Sequence, residues 1–454
     1  MSQQIKPYNR ITDGNIWREM LLFALPLMAG SVVQQLYTTV DTIIVGRFVG
    51  KIALAAVGGA PAIVAMIVIT FFNGLSNGAA VVTAQLFGAR DFEKLRESIH
   101  TAYLFAVLVS VVVTLCGIFW TPAMMRGMNT PEEMMEASVT YLRIYFTGML
   151  FTLVYNMGSA IMRAIGDSRR PTLYLVIASL LNIVLDLIFV LVLHMGIAGA
   201  AWATVLSQMV SALLVTRSLR RAYPEVQLRF RDLRIHMPVL RRELQIGMPG
   251  ALQASAYGLT NVVIQTAVNG FGTDIVAAWS AYGKLDMISW TAAGALGAAM
   301  TTFVGQNYGA GKMQRIFRCI RTGTALTYLI SGSIVVILWL FCRPLYHLFT
   351  TDLTVIDLGV QMLRFLAPTY VLSFLLEALN GGLRGLGDAF WPTVFALGGL
   401  FVLRMPWILI LAERTHSFEV LMLSFPVAWL GTLALLIPYY FRRKKKVLLE
   451  DTAG

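Results

Sequence analysis

Twelve continuous apolar runs occupy most of this 454-residue chain, at roughly 17–46, 53–87, 99–121, 134–162, 171–193, 198–217, 244–269, 275–305, 320–342, 356–383, 392–412 and 418–441. Each is long enough for a helix rising about 1.5 Å per residue to cross a hydrocarbon layer about 30 Å thick. Inside a bilayer every backbone N–H and C=O must find its partner within the protein, so only helices or a closed barrel can span it. The runs do not alternate at period two, as barrel strands do, so the spans are helical. The balance of residue types agrees. The chain is 57% hydrophobic and 13% charged, against about a quarter charged in a soluble domain. The fold class is therefore an all-α polytopic membrane protein. Several runs exceed the length a perpendicular crossing needs, so tilted or kinked spans are expected.

A net charge of +12 would suggest a nucleic-acid partner in a soluble protein. Here the distribution of Lys and Arg explains it better. With both termini and the even-numbered loops placed inside, the inner side receives most of the 36 Lys and Arg, among them Lys6, Arg10, Arg90, Lys94, Arg163, Lys312 and Arg384. The outer side receives only Arg47, Lys51, Arg126, Arg343 and Arg414. That asymmetry supports cytoplasmic termini and an even number of spans. The tail "RRKKK" at 442–446 reads as a cytoplasmic anchor rather than a nucleic-acid site. The N-terminus lacks the short apolar core and small-residue cleavage site of a removed signal peptide. Cys116, Cys319 and Cys342 are scattered, with no disulfide or metal pattern. The five histidines lie at or near span ends, and no H-E-x-x-H, G-x-S-x-G or Walker motif occurs, so an enzyme is not expected.

The one long inner connection divides the chain into halves that repeat. "ALP" at 24–26 answers "GMP" at 247–249, "QLFGARD" answers "QNYGAGK", and "RAIGDSRRPT" at 163–172 answers "RGLGDAFWPT" at 384–393. Equivalent positions lie 221 to 223 residues apart throughout. Such self-similarity marks internal duplication, and an even number of spans per half makes the repeat parallel, about an axis along the membrane normal. The expected organisation is a cytoplasmic segment 1–16, a six-helix bundle 17–217, a cytoplasmic loop 218–243, a second bundle 244–441 and a basic tail 442–454. Gly and Pro in the repeated R-x-x-G-D-x-x-x-P-T motif break the helix and restart it, a structural task.

Eight charged residues fall well inside the spans: Asp41, Arg143, Asp186, Lys284, Asp286, Arg364, Glu377 and Arg404. An ionisable group at membrane depth is a functional hypothesis by default. Counting from the outer ends, Asp41 of span 1 lies about 9 Å deep, with Asp186 of span 5 and Thr204 of span 6 about 12 Å deep. Asn182 is one turn from Asp186 on the same helix face. Asp41 falls on Val263 in the second half, Asp186 on Trp407 and Asn182 on Leu403. This set is unduplicated, whereas Arg143 and Arg364 are copies of each other and read as scaffold. Two carboxylates, an amide and a hydroxyl are hard oxygen ligands suited to Na⁺, and a close carboxylate pair can equally hold a proton. Pro26, about four turns below Asp41, removes a helix hydrogen bond and offers a hinge. Lys284 and Asp286 are two apart and do not face each other on a helix. With Glu377 and Arg404 they either pair across spans 8, 10 and 11 or face a substrate cavity.

The stretches "ALPLMAGSVVQQLYTTVDTIIVG", "GLSNGAAVVTAQLFGARD", "RAIGDSRRPT", "NIVLD" and "GIAGAAWATVLSQ" together resemble the multidrug and toxic compound extrusion (MATE) transporters over nearly the whole chain. The resemblance implies a V-shaped pair of six-helix bundles around a central cavity. It further implies export of amphipathic, mainly cationic, drug-like molecules in exchange for Na⁺ or H⁺, with no cofactor and no metal beyond Na⁺. The family's first-bundle cation site matches Asp41, Asn182, Asp186 and Thr204, its neighbours match Gln34, Tyr37, Tyr141 and Asn156, and its bent first helix matches Pro26. Some members carry an acid early in span 7, where this chain has Tyr257. The expected setting is the plasma membrane of a prokaryote, with the chain acting as a monomer and without nucleic acid. A flippase for a lipid-linked saccharide, from the same superfamily, is the alternative; its pyrophosphate substrate would call for the cations Lys284, Arg404, Arg143 and Arg364.

Overall fold

The computed structural model describes residues 9–221, 223 and 226–453. Lys6 and the rest of residues 1–8, residues 222, 224 and 225 of the central loop, and Gly454 lie outside the described residues. All twelve expected spans are helices. Ten are apolar helical stretches long enough to cross a membrane: Ile16–Val49 (span 1), Lys51–Ala89 (span 2, broken at Gly59), Phe92–Gly127 (span 3), Arg169–Val192 (span 5), Gly196–Arg221 (span 6), Thr273–Gly309 (span 8), Met313–Leu340 (span 9), Leu353–Gly385 (span 10), Phe390–Ala412 (span 11) and Phe418–Leu449 (span 12). Span 4 is a pair, Glu132–Thr147 and Met149–Ala164, bent by 47° at Gly148. Span 7 is Met237–Asn269. It is less apolar than the rest because Gln253, Tyr257, Asn261, Gln265 and Asn269 recur every fourth residue and form one polar stripe along an otherwise apolar helix.

Contacts group the chain into two compact units, residues 26–251 and residues 1–25 with 252–454. The expected bundles 17–217 and 244–441 divided the chain in its central loop; the contacts divide it inside spans 1 and 7. Packing explains the difference. The N-terminal end of span 1 belongs with the second half: Phe23 meets Phe303 edge-on at 5.9 Å, and Met20 is fully buried beside Gly323. The short helix Arg10–Asp13 ahead of it is tied down by Lys312, whose Nζ donates to Thr12 O at 2.9 Å. The N-terminal end of span 7 belongs with the first half: Arg242 Nη2 donates to Gln85 Oε1 at 2.6 Å, and Ser98 Oγ donates to Glu243 Oε1 at 2.7 Å. Here the backbones of spans 2 and 7 nearly touch. Gly74-x-x-x-Gly78 faces Gly247-x-x-x-Ala251, and a Cβ on Gly78 would lie 2.3 Å from Glu243 O and 2.4 Å from Gly247 N. Small residues four apart permit this close helix–helix approach within a membrane. Pro26 and Pro249, equivalent in the repeat, sit inside these two continuous helices, each removing one backbone donor, beside the points where they leave one unit for the other.

The repeated R-x-x-G-D motif turns the chain between spans 4 and 5 and between spans 10 and 11. Gly166 has φ +102° and Gly387 φ +82°, values a side chain strongly disfavours. Asp167 Oδ1 accepts the N–H groups of Arg169 and Arg170, each at 3.1 Å, and so caps span 5. In the second copy, the Asp388 carboxylate instead pairs with Arg443 at 3.4 Å and accepts the Tyr439 hydroxyl. Gly166→Ala is therefore expected to cost about 1–2 kcal/mol and to lower the melting temperature of the purified protein, read by tryptophan fluorescence. The duplicated arginines repeat a role as well: Arg143 Nε donates to Ile118 O at 3.3 Å, and Arg364 lies over the Trp339 ring at 5.8 Å, each against the preceding span.

Candidate cation site

The four predicted ligands come from three helices of residues 26–251. Asp41 lies in span 1 just before the backbone loosens into a π-helix at Val45–Val49. Asp186 is the last α-helical residue of span 5 before the π-helix Leu187–Val192. Each π turn inserts one more residue per turn and swings the following side chains round the axis, a device concentrated at functional sites. Span 11 repeats the π turn at Trp407–Ala412. Trp407, standing where Asp186 stands in the first half, donates through Nε1 to Val420 O at 2.8 Å. The backbone device is thus duplicated and the carboxylate is not.

The carboxyl groups of Asp41 and Asp186 face one another within hydrogen-bonding reach. Asp186 is 0% exposed and Asn182 1%. Oδ1 of Asp41 and Oδ1 of Asp186 are both buried and without a hydrogen-bond partner among the described residues. Asn182 bridges to span 6: its Nδ2 lies 3.5 Å from Thr204 Oγ1. In the amide orientation that satisfies both ends, Nδ2 donates to Asp186 Oδ2 at 3.3 Å and the carbonyl accepts Thr204 N–H at 3.3 Å. The Tyr37 and Tyr141 phenols lie close to both carboxylates, and Gln34 lies against the Tyr37 phenol. Tyr141 stacks on Tyr145 with ring centroids 6.0 Å apart. An apolar cluster of Ile44, Val45, Ala53, Val57, Val190 and Ala200 abuts Tyr141 and shields that side from water. Asn156 is half-buried on span 4, and no hydrogen bond joins it to the carboxyl pair among the described residues.

Neither carboxylate has a Lys or Arg neighbour among its electrostatic contacts. Two buried carboxylates side by side repel each other, and each also loses hydration. The arrangement is favourable only with a positive partner between them, either a proton shared by the pair or a small cation taking the two free oxygens with the Asn182 and Thr204 oxygens close by.

The second unit does not build the ion-pair network across spans 8, 10 and 11 that the sequence allowed. Glu377 Oε1 instead takes Arg384 Nη2 at 2.7 Å, two turns along its own helix. Asp286 accepts the Tyr370 hydroxyl, which also meets the Tyr282 hydroxyl. Lys284 is exposed and pairs with no carboxylate among the described residues, because two residues along a helix point it away from the face that buries Asp286. Arg404 is 5% exposed, with its guanidinium 3.6 Å from the Phe425 ring centroid. Tyr282 and Tyr370 escaped the sequence reading; the only signal for them was Tyr282 standing one turn before Asp286. Glu243, at the end of the expected loop 218–243, lies instead in the helix Met237–Asn269, buried against Ser98.

Twelve spans in two repeated halves, with a buried carboxylate pair confined to one of them, define a polytopic membrane transporter. The MatE family model matches residues 26–188 and 249–410, so the chain belongs to the MatE family. It is 31% identical over 416 residues to the probable multidrug resistance protein YpnP of Bacillus subtilis (strain 168), covering 89% of this chain and 90% of that one. To the probable multidrug resistance protein YoeA of the same organism it is 28% identical, covering 95% of both. Its fold superposes with a TM-score of 0.89 on a solved outward-facing multidrug resistance MATE family transporter of the MOP superfamily, at 23% identity, over 96% of this chain and 98% of that one.

Proposed function

We propose that this protein is a secondary active antiporter that exports amphipathic, mainly cationic, small molecules in exchange for H⁺ or Na⁺ by alternating access. The observation that carries this reading is the Asp41–Asp186 pair, facing, with Oδ1 of each buried and no cation of the protein's own to neutralise it. A ligand shifts a conformational equilibrium only by binding the two states unequally. Loading the pair from outside, with Asn182 and Thr204 as further ligands and Tyr37 and Tyr141 beside it, supplies such a difference. Pro26, where span 1 passes from one compact unit to the other, is the hinge through which the pair acts. The drug-resistance relatives support a drug-like substrate. The charge distribution supports a plasma membrane with both termini cytoplasmic.

The test is dye efflux in vesicles of the purified protein, under a Na⁺ gradient and a pH gradient imposed separately. Uptake of a cationic dye driven by one of the two is the expected result; equilibration with neither gradient having any effect overturns the reading. The flippase alternative is supported less well, because Arg143 and Arg364 sit exposed against neighbouring spans and repeat as scaffold.

A further inference from the structure

Arg404 is the one charge in the spans whose burial neither the cation site nor the scaffold accounts for. It stands at the end of a π-helical stretch, Gly399–Arg404, in span 11. The nearest titratable groups are the phenols of Tyr257 and Tyr282; no carboxylate is among its electrostatic partners. Two of its nitrogens, Nε and Nη2, are buried without a hydrogen-bond partner among the described residues. A buried cation with neither counter-ion nor acceptor is strongly unfavourable, so such groups in membrane proteins pair or bind ligand. The two free donors also have a specific geometry. Nε and Nη2 form one side-on edge of the guanidinium, the edge that takes both oxygens of a carboxylate or phosphate in parallel. The Phe425 ring 3.6 Å away holds the plane of that fork. Beside it stands an aromatic wall: Trp279 and Trp429 each lie 6.0 Å from Phe425.

We propose that Arg404 and this wall form a second binding site, in the half of the protein that lacks the carboxylate pair, for the carboxylate or phosphate group of an aromatic amphiphile. The site extends the export reading and rests on it for its purpose: Arg404 holds the acid group of an exported substrate. Nothing equivalent exists in the first half, where Ile183 occupies the corresponding position.

A matched pair of dyes tests this by binding alone, with no gradient. Rhodamine 110 carries a free carboxylate, and rhodamine 123 is its methyl ester. Fluorescence titration of the purified full-length protein is expected to show tighter binding of the free acid. Arg404→Gln should weaken the free acid about tenfold or more, the worth of a charge-assisted hydrogen-bonded pair, and leave the ester unchanged. Arg404→Lys, which keeps the charge but not the fork, should fall between. Equal loss for both dyes, or no loss for the acid in either variant, overturns the proposal. Repeating the titration in phosphatidylcholine vesicles with and without phosphatidylglycerol separates the sources of the anion. Competition by phosphatidylglycerol in the wild type but not in Arg404→Gln assigns the site to a lipid headgroup; its absence assigns the site to the solute. Acid-selective binding without gradient-driven transport would sink the export reading and leave this site standing. Gradient-driven transport with equal binding of the two dyes would do the reverse.

Discussion

Asp41→Asn is expected to lower gradient-driven dye export sharply while the protein still folds and still binds dye. Asparagine has nearly the shape of aspartate and keeps one oxygen, but it carries no charge and takes no proton. The cation then loses half of its negative partner, and the remaining Asp186 gains a hydrogen-bond donor in place of a like charge. A coupling between sites is typically worth about 1–3 kcal/mol, so its removal should lower the gradient-driven component about 5- to 150-fold. Folding should not suffer, because the substitution relieves the repulsion of two buried carboxylates. Asp186→Asn should behave alike. Asp286→Asn is the contrast: that carboxylate is already satisfied by the Tyr370 hydroxyl, and gradient dependence should persist. Vesicle efflux under the better driving gradient, with melting temperature recorded for each variant, checks all three. Unchanged gradient-driven export in Asp41→Asn would falsify the coupling role.

Gly78→Val has the other large expected effect, on assembly instead of transport. A Cβ at residue 78 would sit 2.3 Å from Glu243 O, 2.4 Å from Gly247 N and 2.5 Å from Gly247 Cα. All three are backbone atoms of span 7, so no side chain can swing aside, and the whole N-terminal end of that helix must move off span 2. Relief of this overlap costs about 3 kcal/mol or more, at the upper end of overpacking effects. It would also separate Arg242 from Gln85 and Glu243 from Ser98. The expected result is little monodisperse protein on size-exclusion chromatography and a lowered melting temperature for what survives. Gly294→Ala provides the control, since its Cβ would meet nothing within 4 Å. A Gly78→Val protein that purifies and melts like the wild type would refute the backbone-to-backbone packing of these helices.

The candidate site was largely legible in the chain itself. Depth along the helices put Asp41, Asp186 and Thr204 in one band, i, i+4 spacing added Asn182, and the absence of copies in the second half set them apart from the scaffold. Asn156, which the family likeness adds to the neighbourhood of the site, makes no hydrogen bond to the pair among the described residues. The second half was less legible because four charges at membrane depth permit several pairings, and depth says nothing about rotation around each helix axis. Glu377 faces along its own helix to Arg384, Asp286 turns to two phenols, and Arg404 turns onto Phe425.

The sequence by itself determined that the chain spans a membrane as twelve helices, that its halves are copies, and that only the first carries the carboxylate pair. These follow from apolar length, backbone hydrogen bonding in hydrocarbon and a constant offset, all of which are local or one-dimensional. The tertiary structure alone decided that the N-terminal ends of spans 1 and 7 are exchanged between the compact units, that π turns follow both aspartates, and that Arg404 keeps two donors free. Each depends on which helix faces meet, and that is set by side-chain and backbone packing between segments far apart in the chain.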